Sequence, residues 1–467
     1  MADAASRGAP DGASFMSDLI ISISGVRGIV GETLTPETAL AMAAAFAEVA
    51  PAGPILVASD GRTSGDALRA ACIAGLTGAG RATVDLGVAT TPTTGVVVPL
   101  RRAAGAIIVT ASHNPAEWNG LKFLGPDGLF IRQDTIDRLV ARWRAKEPAW
   151  QPWEHVGRAD HWDGAAAAHI ERILALDIID VPRCREARVP VVLDAICGSG
   201  ATIAPELLDA LGCVVHAVNT EVTGRFPRMP EPVPEHIAPV GDVVRRTGAA
   251  VGLVLDPDGD RLALLDEHGT AIGEEYTLAL AVYSIRRRRQ GGPVVVNAST
   301  SRMVDDMAAM LGFSVHRTPV GEINVVDGMI RLGADLGGEG NGGVIYRDLH
   351  LGRDGLLGIA VIIDLLARER CPLSELVGRL PRYVISKQKV AVAPEARAAY
   401  LGRFVELAAA RGAILDTCDG AKLIWPDRWL HVRPSNTEPV VRVIAEAPTE
   451  GQALALCREA QELVPEV

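Results

Sequence analysis

A single unit is written three times along this 467-residue chain: an apolar run, a small-residue turn, a helix-like stretch, a glycine and a second apolar run. The first copy reads PILVAS (54–59), DGRTSG, DALRAACIAGL, Gly80, TVDLGVATTP. The second reads VPVVLDA (189–195), ICGSG, ATIAPELLDAL, Gly212, CVVHAVN, and the third GPVVVNA (292–298), STS, RMVDDMAAML, Gly312, FSVHRTPVG. Short β-branched runs alternating with amphipathic stretches predict βαβ units and a parallel sheet. A glycine just past each helix is a usual stop. Each copy then reaches a further apolar strand that ends in an unusual loop: GAIIVTASHNP (105–115), AAVGLVLDPDGDR (249–261) and ADLGGEGNGGVI (334–345). In open α/β sheets ligands bind beyond the carboxyl ends of the strands. Three equivalent domains would therefore point three different loops at one cleft.

The stretch 373–467 lacks the unit and reads as a smaller α+β domain, closed by a helix from Thr449 with Gln452 in capping-box spacing. The expected fold is α/β. It has three topologically similar βαβ domains with mixed sheets, at 18–155, 156–272 and 273–372, and the α+β domain at 373–467, all around a central cleft. Residues 1–17 read as a disordered leader without the apolar core of a signal peptide, and Met16 is an alternative start.

The formal net charge of -11 argues against a polyanionic partner, so nucleic acid is not expected. RRRRQGG (287–293) reads as a solvated turn between a helix and a strand. No uncharged apolar run reaches the roughly 18 residues of a membrane span. The seven scattered cysteines form no CxxC pair and read as reduced, buried thiols of a cytoplasmic protein.

DPDGD (256–260) is the sharpest chemical signal. Asp256, Asp258 and Asp260 follow an apolar strand, and carboxylates this close repel unless a cation neutralises them. Hard oxygen ligands suit Mg²⁺. An EF-hand fits worse, because Arg261 stands where its loop needs glycine. In TASHNP (110–115), Ser112 ends a buried strand and can carry a phosphoryl group if a metal and cations surround it. A Ser-His-Asp hydrolase is disfavoured by the absence of G-x-S-x-G, and His113 is expected to point elsewhere or to bond within its loop. In GGEGNGG (337–343), Glu339 and Asn341 can bond sugar hydroxyls. In RPSNTEP (433–439), Arg433, Ser435, Asn436 and Thr437 suit a phosphate dianion, with Arg442 as a possible helper. SGVRG (24–28) and NGLKF (119–123) add Arg27 and Lys122.

In this order the motifs SGVRG, DGRTSG, TASHNP, NGLK, PEPVPEH (230–236), DPDGDR, GGEGNGG and RPSNTEP resemble the α-D-phosphohexomutase family, over nearly the whole chain from about Leu19. The resemblance implies a phosphosugar mutase of cytoplasmic carbohydrate metabolism, activated by hexose 1,6-bisphosphate and working as a monomer or homodimer without a membrane. It implies a phosphoserine at Ser112 and Mg²⁺ on Asp256, Asp258, Asp260 and the Ser112 phosphate. Arg261, Arg27 and Lys122 then lie near the transferred group, Glu339 and Asn341 at the sugar, and Arg433, Ser435, Asn436 and Thr437 at the other phosphate. A fourth domain that moves would close the site. Two departures stand out: Asn341–Gly342–Gly343 replaces a frequent Ser-Gly-His, and Glu322 follows Gly321 where some members have His. Both familiar histidine bases are thus absent, and Lys122 is the candidate base. The Gly-Asn-Gly-Gly form resembles a subset of bacterial and archaeal members associated with glucosamine or mannose phosphates; glucosamine phosphate is the expected substrate, with mannose or glucose phosphate as alternatives. Two rival readings remain, a phosphatase with Asp256 as nucleophile and a phosphosugar-binding protein without turnover.

Overall fold

The computed structural model describes residues 19–434 and 440–464; the expected leader 1–17 lies outside the described residues. The three copies build the same four-stranded core. In the first it runs Trp118–Leu124, Gly105–Val109, Ile55–Ser59, Thr83–Val88. In the second it runs Leu262–Leu265, Val251–Leu255, Pro190–Asp194, Val214–Val218, and in the third Gly343–Tyr346, Leu336–Glu339, Val294–Asn297, Val315–Thr318. Each time the last three strands are parallel and the first is antiparallel to its neighbour. The chemistry-bearing loops all leave from the same central strand or its antiparallel partner, so topology alone carries them to equivalent edges.

The fourth sheet is antiparallel, in the order Val384–Ala391, Val440–Ala447, Trp429–Pro434, Ala421–Ile424, Ile414–Asp416. Around the expected boundaries, the strand Ala159–His161 pairs with Thr83–Val88 and extends the first sheet past 155. Leu373, Leu376 and Leu380 belong to the core of the middle domains, and the last sheet starts at Val384. Burial of those leucines, not the change in sequence pattern, decides where the last unit begins.

The second and third domains share one core, crossed by the helix Gly355–Glu369. Its sequence, GLLGIAVIIDLLARE, is apolar on nearly all sides, which suits burial. Among the described residues no helix is long and apolar enough to cross a membrane. The fourth domain docks on the third through buried polar groups. Lys422 Nζ donates to the Ala298 carbonyl at 2.5 Å, and Glu446 accepts from the Ser301 hydroxyl, the Arg302 amide and Trp429 Nε1. These buried groups thus have partners, as buried polar groups require.

Several local expectations are corrected. The second helix-like stretch breaks into a 3₁₀ turn Ser199–Thr202 and a helix Ala204–Ala210, because Pro205 suits only a first helical turn. Thr449 does cap the last helix, but its hydroxyl donates to Gln452 Oε1 at 3.0 Å rather than accepting from a backbone amide, so no capping box closes. All seven cysteines are free, but only Cys72, Cys184 and Cys457 are buried and Cys418 is exposed. The RRRR turn is not simply solvated: Arg287, Arg288 and Arg289 pair with Glu369, Asp364 and Asp177.

Candidate active site

Ser112 sits just past the strand Gly105–Val109 with φ 51, a left-handed conformation that costs a non-glycine residue roughly 1 kcal/mol or more. The loop is held in this shape by Arg62, whose guanidinium uses all five of its N–H groups. They go to Asp60 Oδ2 and to the carbonyls of Ser112, Asn114, Pro115 and Trp118, at 2.6–3.0 Å. Asp60 also accepts from Thr110 Oγ1 at 2.6 Å, and Thr110 Oγ1 in turn accepts from the Ser112 amide at 2.8 Å. Asp60 and Arg62 lie in DGRTSG, a motif whose residues take no role from the sequence, because nothing local shows that its arginine reaches a loop fifty residues on.

So braced, Ser112 Oγ lies 3.3 Å from Asp256 Oδ2 and 3.3 Å from His113 Nδ1. His113 therefore does not point elsewhere; it turns toward the serine and makes a hydrogen bond within its loop, the other of its two expected roles. Burial first, then Arg261 and Arg27, hold its pKa well below 6.5, so the ring is neutral.

The turn Asp256–Asp260 brings its three carboxylates within 4.8 Å of one another, all buried. Gly259 has φ +70, and a Cβ there would come 2.8 Å from the Thr90 side chain, so the turn needs glycine. From the first domain Thr91 Oγ1 donates to Asp258 Oδ2 at 2.6 Å, Lys122 Nζ donates to the same oxygen at 2.6 Å, and Lys122 Nζ lies 3.7 Å from Asp260. Burial would raise the pKa of Asp258, but Lys122 and Thr91 outweigh it and hold it low. Asp256 is pushed well above 3.8 by burial and by Asp258 and Asp260, which together outweigh the opposing charge of Arg261. Asp258 Oδ1 and Asp260 Oδ1 are buried and have no hydrogen-bond partner. Three converging carboxylates, two with an orphaned oxygen, fit a hard divalent cation such as Mg²⁺.

Arg27 Nη1 donates to Asn114 Oδ1 at 2.9 Å, and Arg261 lies 3.8 Å from Asp260 and 3.6 Å from Glu231. Arg353 lies outside every sequence motif. It donates to Asp260 Oδ2 at 2.6 Å, to Glu339 Oε2 at 2.8 Å and to Glu322 Oε2 at 3.0 Å, tying the aspartate loop to the glycine-rich loop. Its only sequence signal is a charge next to the start of an apolar helix. Glu322, at the departure from histidine, has both oxygens engaged by Arg353. It is an anchor for that cation.

Glu339 Oε1 accepts from Asn297 Nδ2 at 2.7 Å and from the Gly321 amide at 3.1 Å; Asn341 Nδ2 lies 3.5 Å from Oε2, and Asn341 Oδ1 is buried without a partner. Arg433 lies on the strand Trp429–Pro434, facing Arg442 across the sheet. Ser435, Asn436 and Thr437 lie outside the described residues.

Behind the glycine-rich loop, Glu275 presses on Gly340 so closely that a Cβ there would sit 1.9 Å from Oε2, and Glu275 accepts from the Ser301 amide at 2.9 Å. Burial pushes its pKa from 4.5 to about 8. The folded state thus holds a proton that the unfolded chain releases, and stability falls as pH rises through that window. Relative to Glu275→Gln, the wild type is expected to lose Tm progressively between about pH 5 and pH 8. Thermal melts in matched buffers test this; parallel Tm curves would refute it.

The architecture and site together define a class, the phosphohexomutases, which are isomerases that move a phosphoryl group within a sugar. Sequence models of the phosphoglucomutase/phosphomannomutase domains match in order: alpha/beta/alpha domain I at 19–149, domain II at 167–269, domain III at 273–383 and the C-terminal domain at 387–463. The chain belongs to that family, the α-D-phosphohexomutases. It is 36% identical over 435 residues to a phosphoglucomutase/phosphomannomutase of Thermococcus kodakarensis, covering 92% of this chain and 94% of the relative. It is also 36% identical over 443 residues to a probable phosphoglucosamine mutase of Methanopyrus kandleri, covering 94% and 96%. A phosphoglucomutase/phosphomannomutase family protein of Burkholderia thailandensis superposes with TM-score 0.83 at 29% identity, over 95% of this chain and 98% of that one. An N-acetylphosphoglucosamine mutase variant of Aspergillus fumigatus, solved with glucose 1,6-bisphosphate, shares the fold at TM-score 0.55 and 14% identity, over 95% of this chain and 94% of its own.

Proposed function

We propose that this phosphohexomutase interconverts hexose 1- and 6-phosphates through a phosphoserine at Ser112, with glucosamine phosphate as its preferred substrate. The observation that carries the reading is the aim of Ser112 Oγ, from a strained and braced loop, at the buried triad of Asp256, Asp258 and Asp260. In the first half-reaction the bond from phosphorus to Ser112 Oγ breaks and a bond to a free sugar hydroxyl forms. The hydroxyl proton ends on Ser112 Oγ, and neutral His113, 3.3 Å away, is placed to pass it on. The bisphosphate then reorients and returns its other phosphoryl group by the reverse step.

Asp256, Asp258, Asp260 and the Ser112 phosphate would hold Mg²⁺, which supplies Lewis-acid stabilisation of the transferring oxygens. Lys122 is buried, but Asp258 and Asp260 outweigh burial and keep it protonated. It serves here as a donor to those oxygens, with Arg27 and Arg261, rather than as the base. Glu339 and Asn341 hold the sugar, and Arg433 with Ser435, Asn436 and Thr437 holds the phosphate that stays. Hexose 1,6-bisphosphate charges Ser112; the Aspergillus relative binds glucose 1,6-bisphosphate. The same reading makes the enzyme cytoplasmic, acting as a monomer or homodimer.

The choice of glucosamine rests on Asn341–Gly342–Gly343 and on relatives so named. A phosphoglucomutase/phosphomannomutase role is the second reading, supported by the Thermococcus relative. Phosphorus NMR with Mg²⁺, a trace of hexose 1,6-bisphosphate and glucosamine, glucose or mannose 1-phosphate decides. Fastest conversion of glucosamine 1-phosphate to its 6-phosphate is expected. A faster glucose or mannose phosphate would move the substrate to the second reading. Free phosphate without any 6-phosphate would replace Ser112 by an Asp256 nucleophile.

A further inference from the structure

We infer that Asp419 is a positioning residue that couples the arginine of the fourth domain to the sugar-loop carboxylate of the third. Asp419 precedes Gly420 in the turn between the strands Ile414–Asp416 and Ala421–Ile424. Gly420 has φ +78, and a Cβ there would come 2.4 Å from the Val432 carbonyl, so the turn packs directly on the strand that carries Arg433.

A single oxygen, Asp419 Oδ2, accepts from Arg433 Nε at 2.7 Å and from the Val320 amide of the third domain at 3.0 Å. The next amide, Gly321, donates to Glu339 Oε1 at 3.1 Å. Consecutive amides of one segment thus fix two carboxylates, one beside Arg433 and one in the glycine-rich loop.

A second strand of contacts runs in parallel. His431 Nε2 donates to the Asp419 carbonyl at 2.5 Å, which leaves Nδ1 to accept from Ser299 Oγ at 3.0 Å. The Ser299 amide and the Thr300 hydroxyl donate to Asn297 Oδ1, and Asn297 Nδ2 donates to the same Glu339 oxygen at 2.7 Å. Both routes from the Asp419 turn end on Glu339 Oε1. Arg433 gives its Nε to Asp419, and among the described residues nothing else is bonded to its guanidinium, whose two Nη groups suit a planar, bidentate anion contact. Binding of a phosphosugar across the two domains then needs Asp419 to present both ends of the site in register.

The inference rests on the phosphosugar reading of Arg433 and Glu339. It is tested with kcat and KM for the hexose 1-phosphate that the wild type turns over, in Asp419→Asn, Asp419→Ala, Glu339→Gln and the Asp419→Asn/Glu339→Gln pair. Asp419→Asn is expected to raise KM about tenfold with kcat changed much less, as for loss of one charge-assisted bond that orients substrate. The double variant should raise KM by less than the product of the single effects. An unchanged KM in folded Asp419→Asn, or fully multiplicative effects, would overturn the coupling.

Hydrogen exchange over 319–322 in the unliganded protein supplies a readout that needs no turnover. Asp419→Ala is expected to speed exchange at Val320 and Gly321 and to weaken binding of inorganic phosphate. Unchanged exchange and phosphate affinity would overturn the inference as well. A wild type that showed no mutase activity would remove the functional reading alone, and these two measurements would still decide the role of Asp419.

Discussion

Ser112→Ala is expected to abolish mutase turnover, by roughly 10³-fold or more, while the protein stays folded. The magnitude follows from the chemistry: without Oγ no covalent carrier exists, and removal of an essential nucleophile costs on the order of 10³ to 10⁶ in other enzymes. Retention of the fold follows from the structure. The loop is held by Arg62 through backbone carbonyls and by Thr110 through the Ser112 amide, none of which needs the hydroxyl. The contacts that Oγ does make, to Asp256 and His113, are both long at 3.3 Å. Steady-state assays with bisphosphate present, beside a thermal melt, test this. Near wild-type turnover in the alanine variant would end the phosphoserine assignment. A folded but inactive variant that still binds phosphosugar would support it.

Asp258→Asn has the second largest expected effect, and it acts on activity and stability at once. Loss of one ligand charge at the triad should lower the rate by about 10²-fold to 10³-fold and move the Mg²⁺ titration to higher concentration. The same substitution strips Lys122 of its closest anion, at 2.6 Å, where both side chains are almost wholly buried. Removing one member of a buried ion pair costs about 3–5 kcal/mol when the remaining charge has no other partner, and Asp260, 3.7 Å from Lys122, reduces that cost here. Asp258→Asn should therefore melt earlier in the absence of metal, and the pair Asp258→Asn/Lys122→Met should recover much of that stability while staying inactive. An unchanged Mg²⁺ titration would contradict the ligand role. Failure of the second substitution to restore stability would show that Lys122 is neutralised elsewhere.

Both predictions depend on residues that are legible in the amino-acid sequence, because their chemistry is local. DPDGD announces itself through charge repulsion within five residues, and TASHNP through a polar loop at the end of a buried strand. Arg433 is legible for the same reason. Arg62, Thr91, Arg353, Asp419 and Glu275 are not. Each acts across a sequence separation of ten residues or more: Arg353 lies 93 positions from Asp260, and Thr91 lies 167 from Asp258. A charge beside an apolar run is usually a solvated surface group, so only contact reveals it as a brace. His113 shows the limit in the other direction. Adjacency in sequence leaves open whether it diverges from Ser112 or bonds within the loop, and the structure, with a left-handed backbone at Ser112, sets the two side chains together.

The amino-acid sequence carries the repeated unit, hence the three matching sheets, because the period of apolar residues selects strand or helix and the glycines stop each helix. It also determined which loops could carry chemistry. Which cations stand against which carboxylates, which residues of 373–383 belong to the middle core, and how the last domain is keyed to the third emerge only once the chain is packed. Those outcomes depend on burial, and burial is a property of the packed chain: the same arginine is a solvated charge on a surface and a fixed clamp once its partners exclude water.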